Sequence, residues 1–137
     1  LVMPTASIKA HIGRNHYQTI LNNGRQEICA DEPSDLGGTD LGFAPDELLC
    51  AALASCTAIT LRMYADRKEW PLEAVRLDIS LERDKGSNTT KLTRAIELEG
   101  DLNAEQRERL LGIANACPVH KTLTNPMLVE SFLVEGG

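Results

Sequence analysis

The fold of this chain is decided by residues 45–61, which read PDELLCAALASCTAITL. The proline and the two acids at the start suit a first helical turn, because proline lacks an amide proton and carboxylates favour the positive end of the helix dipole. The residues that follow are apolar or small on every face, and charges return only from Arg62 onward. Because a helix of this composition is buried on all sides, the sequence predicts a long central helix that begins near Pro45 and ends before Pro71.

Strands and turns flank this helix on both sides. The dipeptide Asn23-Gly24 is typical of a hairpin, because both residues tolerate a positive φ at low cost. Residues 73–83 alternate apolar and polar side chains, which predicts a half-buried strand, and residues 91–99 form its partner with a poorer alternation. The remaining predicted elements are strands at 7–11, 17–21, 26–30 and 127–135, a helix over 104–116 that a capping box opens at Asn103, and a short helix from Pro118 to about Thr124.

The order of these elements predicts an α+β fold, with mostly antiparallel sheets wrapped around the buried helix, because short turns join successive strands. The chain has 137 residues and a mass of 15.0 kDa, which fits one domain spanning residues 1–137. A monomer of this size has few elements left to cover a helix that is apolar all round. We therefore expect an intertwined homodimer that shares its core.

The charge balance argues against two classes of partner. Lys plus Arg number 14 and Asp plus Glu number 20, which gives a net charge of −6. A protein that binds nucleic acid or an anionic membrane concentrates positive charge in a patch, so neither partner is expected. The longest stretch without a charge, residues 48–61, is shorter than the ~20 residues of a membrane span. With no basic segment leading into an apolar one near residue 1, a cytoplasmic protein is expected.

Four cysteines, Cys29, Cys50, Cys56 and Cys117, are the candidate reactive side chains. A core of this size does not need a disulfide framework, so reduced thiols are the better expectation. Cys29 and Cys50 are interpreted as small apolar side chains, in a strand and on another face of the helix from Cys56. Cys56 lies inside the buried helix, whereas Cys117 precedes a proline at a helix end with His120 three residues further on.

Three kinds of chemistry are open to Cys56, Cys117 and His120. A zinc site would need a fourth ligand, and the sequence has no Cys-x-x-Cys pair. A cysteine–histidine hydrolase would need an oxyanion hole, for which no local signature is found. A redox pair needs only two thiols brought together and a group that ionises one of them. The residues permit this last interpretation without establishing it, and neither a metal nor a cofactor is expected.

Two segments carry a family resemblance. Residues 37–57 read GGTDLGFAPDELLCAALASCT, and residues 116–123 read ACPVHKTL. Together they resemble the OsmC/Ohr family, named for osmotically inducible protein C and organic hydroperoxide resistance protein. The resemblance covers nearly the whole chain and is greatest to the broad OsmC-like branch. It implies the OsmC-like α+β fold and a thiol peroxidase without metal or haem that acts against oxidative stress.

The resemblance also implies a role for each cysteine. Cys56 would be the peroxidatic residue, whose thiolate attacks the peroxide O–O bond and becomes a sulfenic acid. Cys117 would condense with it to a disulfide, and a dithiol reductant would reset the pair. Because burial raises the pKa of a thiol, a neighbouring guanidinium must offset the desolvation of Cys56, and an acidic residue holds that arginine in place.

Matching the chain to the family pattern gives candidates for this arginine and this acid. Arg14 is the best positional match for the arginine, and Arg25 is the second candidate. Asp46 holds the family's acid position ten residues before Cys56, whereas Glu47 is more typical of this branch. On a helix Asp46 lies about 80° from Cys56 and Glu47 lies opposite it, so either could reach an arginine from the first turn. The alternative is that both acids only favour the helix dipole.

Two functions are compatible with the resemblance. The first is a cysteine-based peroxidase that reduces organic hydroperoxides, with each active site at the interface of the homodimer. The second is the same fold used as a binding or redox-sensing protein for a small apolar or thiol-reactive ligand, with little turnover. An apolar lining near Cys56 would favour an organic peroxide over hydrogen peroxide. His120 would either tune Cys117 or hydrogen-bond at the helix end.

Overall fold

The computed structural model describes residues 3–135, and the chain divides into two compact units, residues 1–51 and 52–137. Each unit is described by itself, and α1 passes from the first into the second. The elements are β1 (Lys9–Ile12), β2 (Thr19–Asn22), β3 (Glu27–Ala30), α1 (Pro45–Lys68), β4 (Leu72–Asp84), β5 (Thr89–Gly100), α2 (Ala104–Ala114) and α3 (Pro118–Leu123).

The first unit contains an antiparallel sheet in the order β1-β2-β3. The turn between β2 and β3 is held by the side chain of Asn23, whose Oδ1 accepts the amide protons of Arg25 and Gln26. Gly24 has a φ of +95° in this turn, a conformation that costs glycine little. The hairpin predicted at Asn23-Gly24 is therefore confirmed.

Asp31 organises the long loop of residues 31–43 from inside this unit. Only 2% of its surface is exposed, and its carboxylate accepts the amide protons of Tyr17, Thr39 and Leu41. The hydrogen bond from the Thr39 hydroxyl holds the pKa of Asp31 well below its ordinary value despite desolvation by burial, and the backbone amides add to this effect. The loop is therefore built around one buried carboxylate.

Two glycines let the same loop approach its neighbours closely. A Cβ atom on Gly38 would lie 2.0 Å from the carbonyl oxygen of Glu32, and one on Gly42 would lie 2.0 Å from that of Cys29. Both distances are shorter than real carbon–oxygen contacts, and in both cases the obstacle is backbone, which cannot swing away. Gly38 and Gly42 thus have a structural explanation.

We expect Asp31→Asn to lower Tm by about 5 °C or more at neutral pH, because hydrogen bonds to a charged group are stronger than those to a neutral one. A depressed native pKa contributes stability above the unfolded-state pKa of about 3.9, and this contribution is lost as the pH falls through the native pKa. The difference in Tm between wild type and variant should therefore shrink below about pH 4. Thermal unfolding followed by circular dichroism measures this difference.

Asp35→Asn, on the exposed surface of the same loop, is the control and should change Tm little at either pH. An Asp31→Asn protein as stable as the wild type at neutral pH would contradict this account.

The second unit packs the rest of α1 against a long hairpin and α2. β4 and β5 pair in antiparallel register, with Leu77 opposite Ile96. The predicted capping box is confirmed, because the side chains of Asn103 and Gln106 each accept the other's amide proton. The buried core comprises Leu61, Ala65, Leu72, Leu102, Leu110 and Ala114. The α+β class with antiparallel sheets and a central helix is therefore confirmed.

The burial of α1 on all sides is predicted together with a homodimer, and the single chain alone does not provide it. The elements of the second unit cover only one side of the helix, and Ile59 and Met63 are 54% and 60% exposed. The stripe of buried residues, spaced by four, comprises Leu53, Thr57, Leu61 and Ala65. The outer face of α1 therefore lacks a cover within the described residues of the second unit.

The comparison of α1 with a membrane span also needs correction. The whole helix has 24 residues, and an 18-residue window of it has a mean hydropathy of 1.5. By length and composition alone α1 could therefore cross a membrane, although its longest uncharged stretch is shorter than a membrane span. Core helices of soluble proteins can have the same length and hydropathy, so these properties do not distinguish a membrane span from a core helix here.

The strand predicted at residues 127–135 is not present. The last regular element among residues 3–135 is α3, and no described strand pairs with the segment that follows it. A strand needs a neighbouring edge to receive its backbone hydrogen bonds, and this segment pairs with none of the described strands. Its leucines Leu128 and Leu133 are 93% and 97% exposed.

Candidate active site

Cys56 and Cys117 meet at the first turn of α3. The sulfur of Cys56, on α1, accepts the amide proton of Val119 at 3.5 Å, and the sulfur of Cys117 accepts that of His120 at 3.3 Å. The side chain of Cys56 is also among the groups that lower the pKa of the Cys117 thiol. Both are free, Cys56 half-buried and Cys117 fully buried. The structure thus brings together the two cysteines that the resemblance pairs.

The local sequence explains why Cys117 stands there. α2 ends at Ala114, and Pro118 can only begin a new helix, because it has no amide proton to donate within one. Cys117 becomes the N-cap residue of α3, and its sulfur takes the place of the oxygen that a serine or aspartate would offer to the third amide.

Arg94, on β5, supplies the positive charge beside the pair. One terminal nitrogen donates to the hydroxyl of Thr57 at 2.9 Å. The other donates to Oδ1 of Asn115 at 2.9 Å and to Nδ1 of His120 at 3.1 Å. Three side chains from separate segments of the chain therefore hold the guanidinium in one orientation.

These hydrogen bonds determine which atoms of the neighbouring side chains carry protons. A guanidinium only donates, so Nδ1 of His120 must accept, which leaves the ring neutral with its proton on Nε2. Thr57 likewise accepts from Arg94 and retains one hydroxyl proton. That proton has two acceptors in reach, the Leu53 carbonyl oxygen at 2.7 Å and the sulfur of Cys117 at 3.9 Å.

The surroundings of Cys117 lower the pKa of its thiol. Burial raises it, and this is the largest single effect. The opposing effects are the amide of His120, the side chains of Cys56 and Thr57, and the charge of Arg94. Together they outweigh burial, so that the pKa lies below the ordinary value of a cysteine.

A cavity of about 360 Å³ opens beside Arg94 and His120. Apolar side chains form much of its wall, and none of the described residues that line it is acidic. Neither cysteine lines it, but Arg94, which does, donates a hydrogen bond to Thr57 beside Cys117. The other lining residues are Leu53, Thr90, Leu92, Ile96, Leu111, Asn115, Leu123 and Thr124.

The remaining predicted site residues lie in the first unit, whereas Cys56 and Cys117 lie in the second. Arg14 is exposed between β1 and β2, and Arg25 is exposed in the following hairpin turn. The carboxylate of Glu47 accepts the amide proton of Ala44 at 2.8 Å, which caps α1, and Asp46 lies in the same turn. Their roles at the cysteines stay predictions.

Sequence reasoning missed Arg94, Thr57 and Asn115. The signal for Arg94 was the poorer alternation of residues 91–99, because it occupies the face of β5 that also presents Leu92 and Ile96. An arginine on the apolar face of a strand needs partners, and these are distant in sequence. Thr57 follows Cys56 directly, but only the fold shows that it is completely buried.

A metal site and a purely structural role are the remaining interpretations of the thiols. Among residues 3–135, no group of three or more His, Cys, Asp or Glu side chains is placed to hold a metal ion. Cys29 and Cys50 are free and half-buried. Cys29 donates to the backbone oxygen of Ala30, at 3.4 Å, which fits the structural role expected of it.

The chain has an α+β fold in which the sulfurs of two free cysteines accept hydrogen bonds from successive backbone amides. These features define a thiol protein with a cysteine pair. Residues 38–131 match the family model described as OsmC-like protein. Because the match covers more than half of the chain, the chain belongs to the OsmC-like family. A search of curated proteins found no significant match.

Solved structures agree with this assignment. An OsmC-like protein from Mycoplasma pneumoniae is 18% identical with a TM-score of 0.76, and the alignment covers 89% of each chain. An organic hydroperoxide resistance protein OsmC from Legionella pneumophila is 25% identical with a TM-score of 0.64, covering 90% of this chain and 92% of the other. The organic hydroperoxide resistance protein OhrB of Bacillus subtilis is 23% identical with a TM-score of 0.61, covering 88% and 90%.

Proposed function

We propose that this protein is a metal-free, cysteine-based peroxidase that reduces organic hydroperoxides. One observation carries the proposal: the sulfurs of Cys56 and Cys117 accept hydrogen bonds from neighbouring amides of one turn, at 3.5 and 3.3 Å. Membership of the OsmC-like family and likeness to organic hydroperoxide resistance proteins support a peroxide-related redox role. In this proposal residues 1–137 form a single OsmC-like domain in the cytoplasm, and α1 is its core helix.

Cys56 takes the peroxide because it is the more exposed of the two residues. Its sulfur attacks the O–O bond of ROOH, keeps one oxygen as a sulfenic acid and releases the alcohol ROH. The Cys117 thiolate then displaces hydroxide from this sulfenic acid, which leaves as water after protonation, and a disulfide forms. A dithiol reductant returns both cysteines to thiols.

The cavity beside the pair favours an organic substrate. Five of its lining residues are aliphatic, and Arg94 and His120 line it as well. An alkyl group buried against them contributes about 0.8 kcal/mol per CH₂, which hydrogen peroxide cannot gain. We therefore expect alkyl hydroperoxides to react faster than hydrogen peroxide.

The proposal includes a homodimer with the active sites at its interface. Contiguous exposed apolar surface marks a protein interface, and both the outer face of α1 and the segment after α3 expose such side chains. Sedimentation equilibrium should show a dimer, and a monomer at micromolar concentration would contradict this part. The exposed residues are Ile59, Met63, Met127, Leu128, Val129, Phe132, Leu133 and Val134.

Intact mass and peptide mapping test the chemistry. We expect one equivalent of an alkyl hydroperoxide to remove two hydrogens within a short reaction time, and the new bond to map to Cys56–Cys117. Hydrogen peroxide should do this more slowly. Cys29 and Cys50, which stay reduced in this scheme, are internal controls. Unchanged thiols, or slow oxidation scattered over all four cysteines, would contradict the peroxidase and favour the binding or redox-sensing function.

A further inference from the structure

A second cavity lies in the same unit as the cysteine pair, between the end of α1 and the helix α2. Its volume is about 810 Å³, which is enough for a small organic molecule. Neither cysteine of the pair lines it, and Cys56 precedes the lining residue Tyr64 by about 12 Å along the axis of α1. The residues of the wall that bear on its chemistry are Tyr64, Lys68, Trp70, Glu105, Glu108 and Arg109.

Two aromatic side chains line this cavity. Tyr64 and Trp70 meet edge to face, with ring centroids 5.6 Å apart and an angle of 72° between the rings. Both are half-buried and pack against the buried core of the second unit. Because aromatic rings stabilise a further ring through edge and face contacts, these side chains favour a flat aromatic ligand.

Arg109, on α2, is held beside these rings with part of its guanidinium free. Its Nε donates to the hydroxyl oxygen of Tyr64 at 3.0 Å. None of the described residues accepts a hydrogen bond from its terminal nitrogens, and neither ion pair found among residues 3–135 involves it. Because the planar nitrogens of a guanidinium match the two oxygens of a carboxylate, this arginine is placed to bind an oxyanion.

Lys68 and the Tyr64 hydroxyl add two further donors. Nζ of Lys68 lies 5.7 Å from the centre of the Tyr64 ring, and Cζ of Arg109 lies 5.9 Å from it. The Tyr64 oxygen accepts from Arg109, so that its own proton remains for another acceptor. The hydrogen bond from Arg109 also lowers the pKa of Tyr64, which makes the hydroxyl a better donor. Two cations and one hydroxyl proton are therefore gathered around a single aromatic ring.

Two carboxylates limit the charge that a ligand can carry here. Glu105 and Glu108, on α2, line the same cavity, and neither forms an ion pair with Lys68 or Arg109. Their negative charges offset the two cations, so a ligand with two negative charges gains little electrostatic free energy. A ligand with one negative charge meets less repulsion and can still bind the guanidinium.

We propose that this cavity binds a small aromatic carboxylate, with its ring against Tyr64 and Trp70 and its carboxylate on Arg109 and Lys68. The aromatic wall accounts for the ring, the free guanidinium nitrogens account for the carboxylate, and the glutamates account for the single charge. The proposal is independent of the peroxidase function, because no group of the cysteine pair takes part in it.

The fluorescence of Trp70 tests the ligand class, because Trp70 is the only tryptophan of the chain. We expect benzoate, titrated into the whole chain at neutral pH, to change this fluorescence along a saturating curve. Benzamide, which lacks the charge, and acetate, which lacks the ring, should each bind about tenfold more weakly or worse. Phenyl phosphate, mostly a dianion at this pH, should also bind more weakly than benzoate. No saturable change with benzoate, or equal affinity for benzamide, overturns the proposal.

Substitutions in the cavity test its location. Arg109→Gln should weaken benzoate binding about tenfold or more, and Lys68→Gln and Tyr64→Phe should each weaken it to a smaller extent. Lys91→Gln removes an exposed cation of β5 outside the cavity and is the matched control, which should keep the wild-type affinity. Because Arg109 and Lys68 are exposed, their variants should keep the wild-type circular dichroism spectrum. Affinity unaffected by both Arg109→Gln and Lys68→Gln overturns the proposal.

The cavity beside Arg94 is another place where an oxyanion could bind, and calorimetry detects benzoate in either cavity. In this proposal Arg94→Gln binds benzoate as tightly as the wild type. Loss of binding in Arg94→Gln, with Arg109→Gln unaffected, overturns the proposal. Cys56→Ser, which lacks the nucleophile of the proposed peroxidase, should also bind benzoate normally. The failure of either proposal is therefore distinguishable from the failure of the other.

Discussion

Cys56→Ser is expected to lower the rate of alkyl hydroperoxide consumption by at least about 1,000-fold, as removal of a nucleophile does in other enzymes. The serine hydroxyl is not ionised at neutral pH and is a poor nucleophile toward an O–O bond. The exchange of sulfur for oxygen leaves the half-buried site on α1 nearly unchanged in volume. Loss of the peroxide, followed under turnover with a dithiol reductant, measures the effect.

Cys50→Ser is the matched control for this variant. Cys50 lies on the same helix, six residues earlier, is also half-buried and is also free. It should keep the wild-type rate within about twofold, because substitutions away from the chemistry have small effects. Peroxide consumption that survives in Cys56→Ser would refute the mechanism, since no other cysteine of the chain is proposed to attack the peroxide.

The backbone of this protein is largely predictable from local signals. The proline and acids at residues 45–47, the Asn23-Gly24 turn and the capping box at Asn103 each act within a few residues, and each element begins where they indicate. The loop of residues 31–43 is the opposite case. Its glycines are visible in the sequence, but the carboxylate of Asp31, around which they fold, is not distinguished from any other aspartate.

The site is predictable only in part, because its partners come from distant segments. The resemblance identifies Cys56 and Cys117, and the structure brings their sulfurs to one turn. It does not identify Arg94, whose partners on separate segments are set by tertiary packing. The strand predicted at 127–135 fails for a related reason, since the alternation of a segment does not show whether another strand pairs with it, and no described strand does.

Cys117→Ser is expected to stop the reaction after its first step. Without a resolving thiol, the oxygen added by an alkyl hydroperoxide should remain on Cys56 as a sulfenic acid, detected as one extra oxygen by mass and trapped by a dimedone-type reagent. Cys29→Ser, which leaves the pair intact, should still form the disulfide at the wild-type rate. Absence of an oxygen adduct on Cys56 would contradict the resolving role.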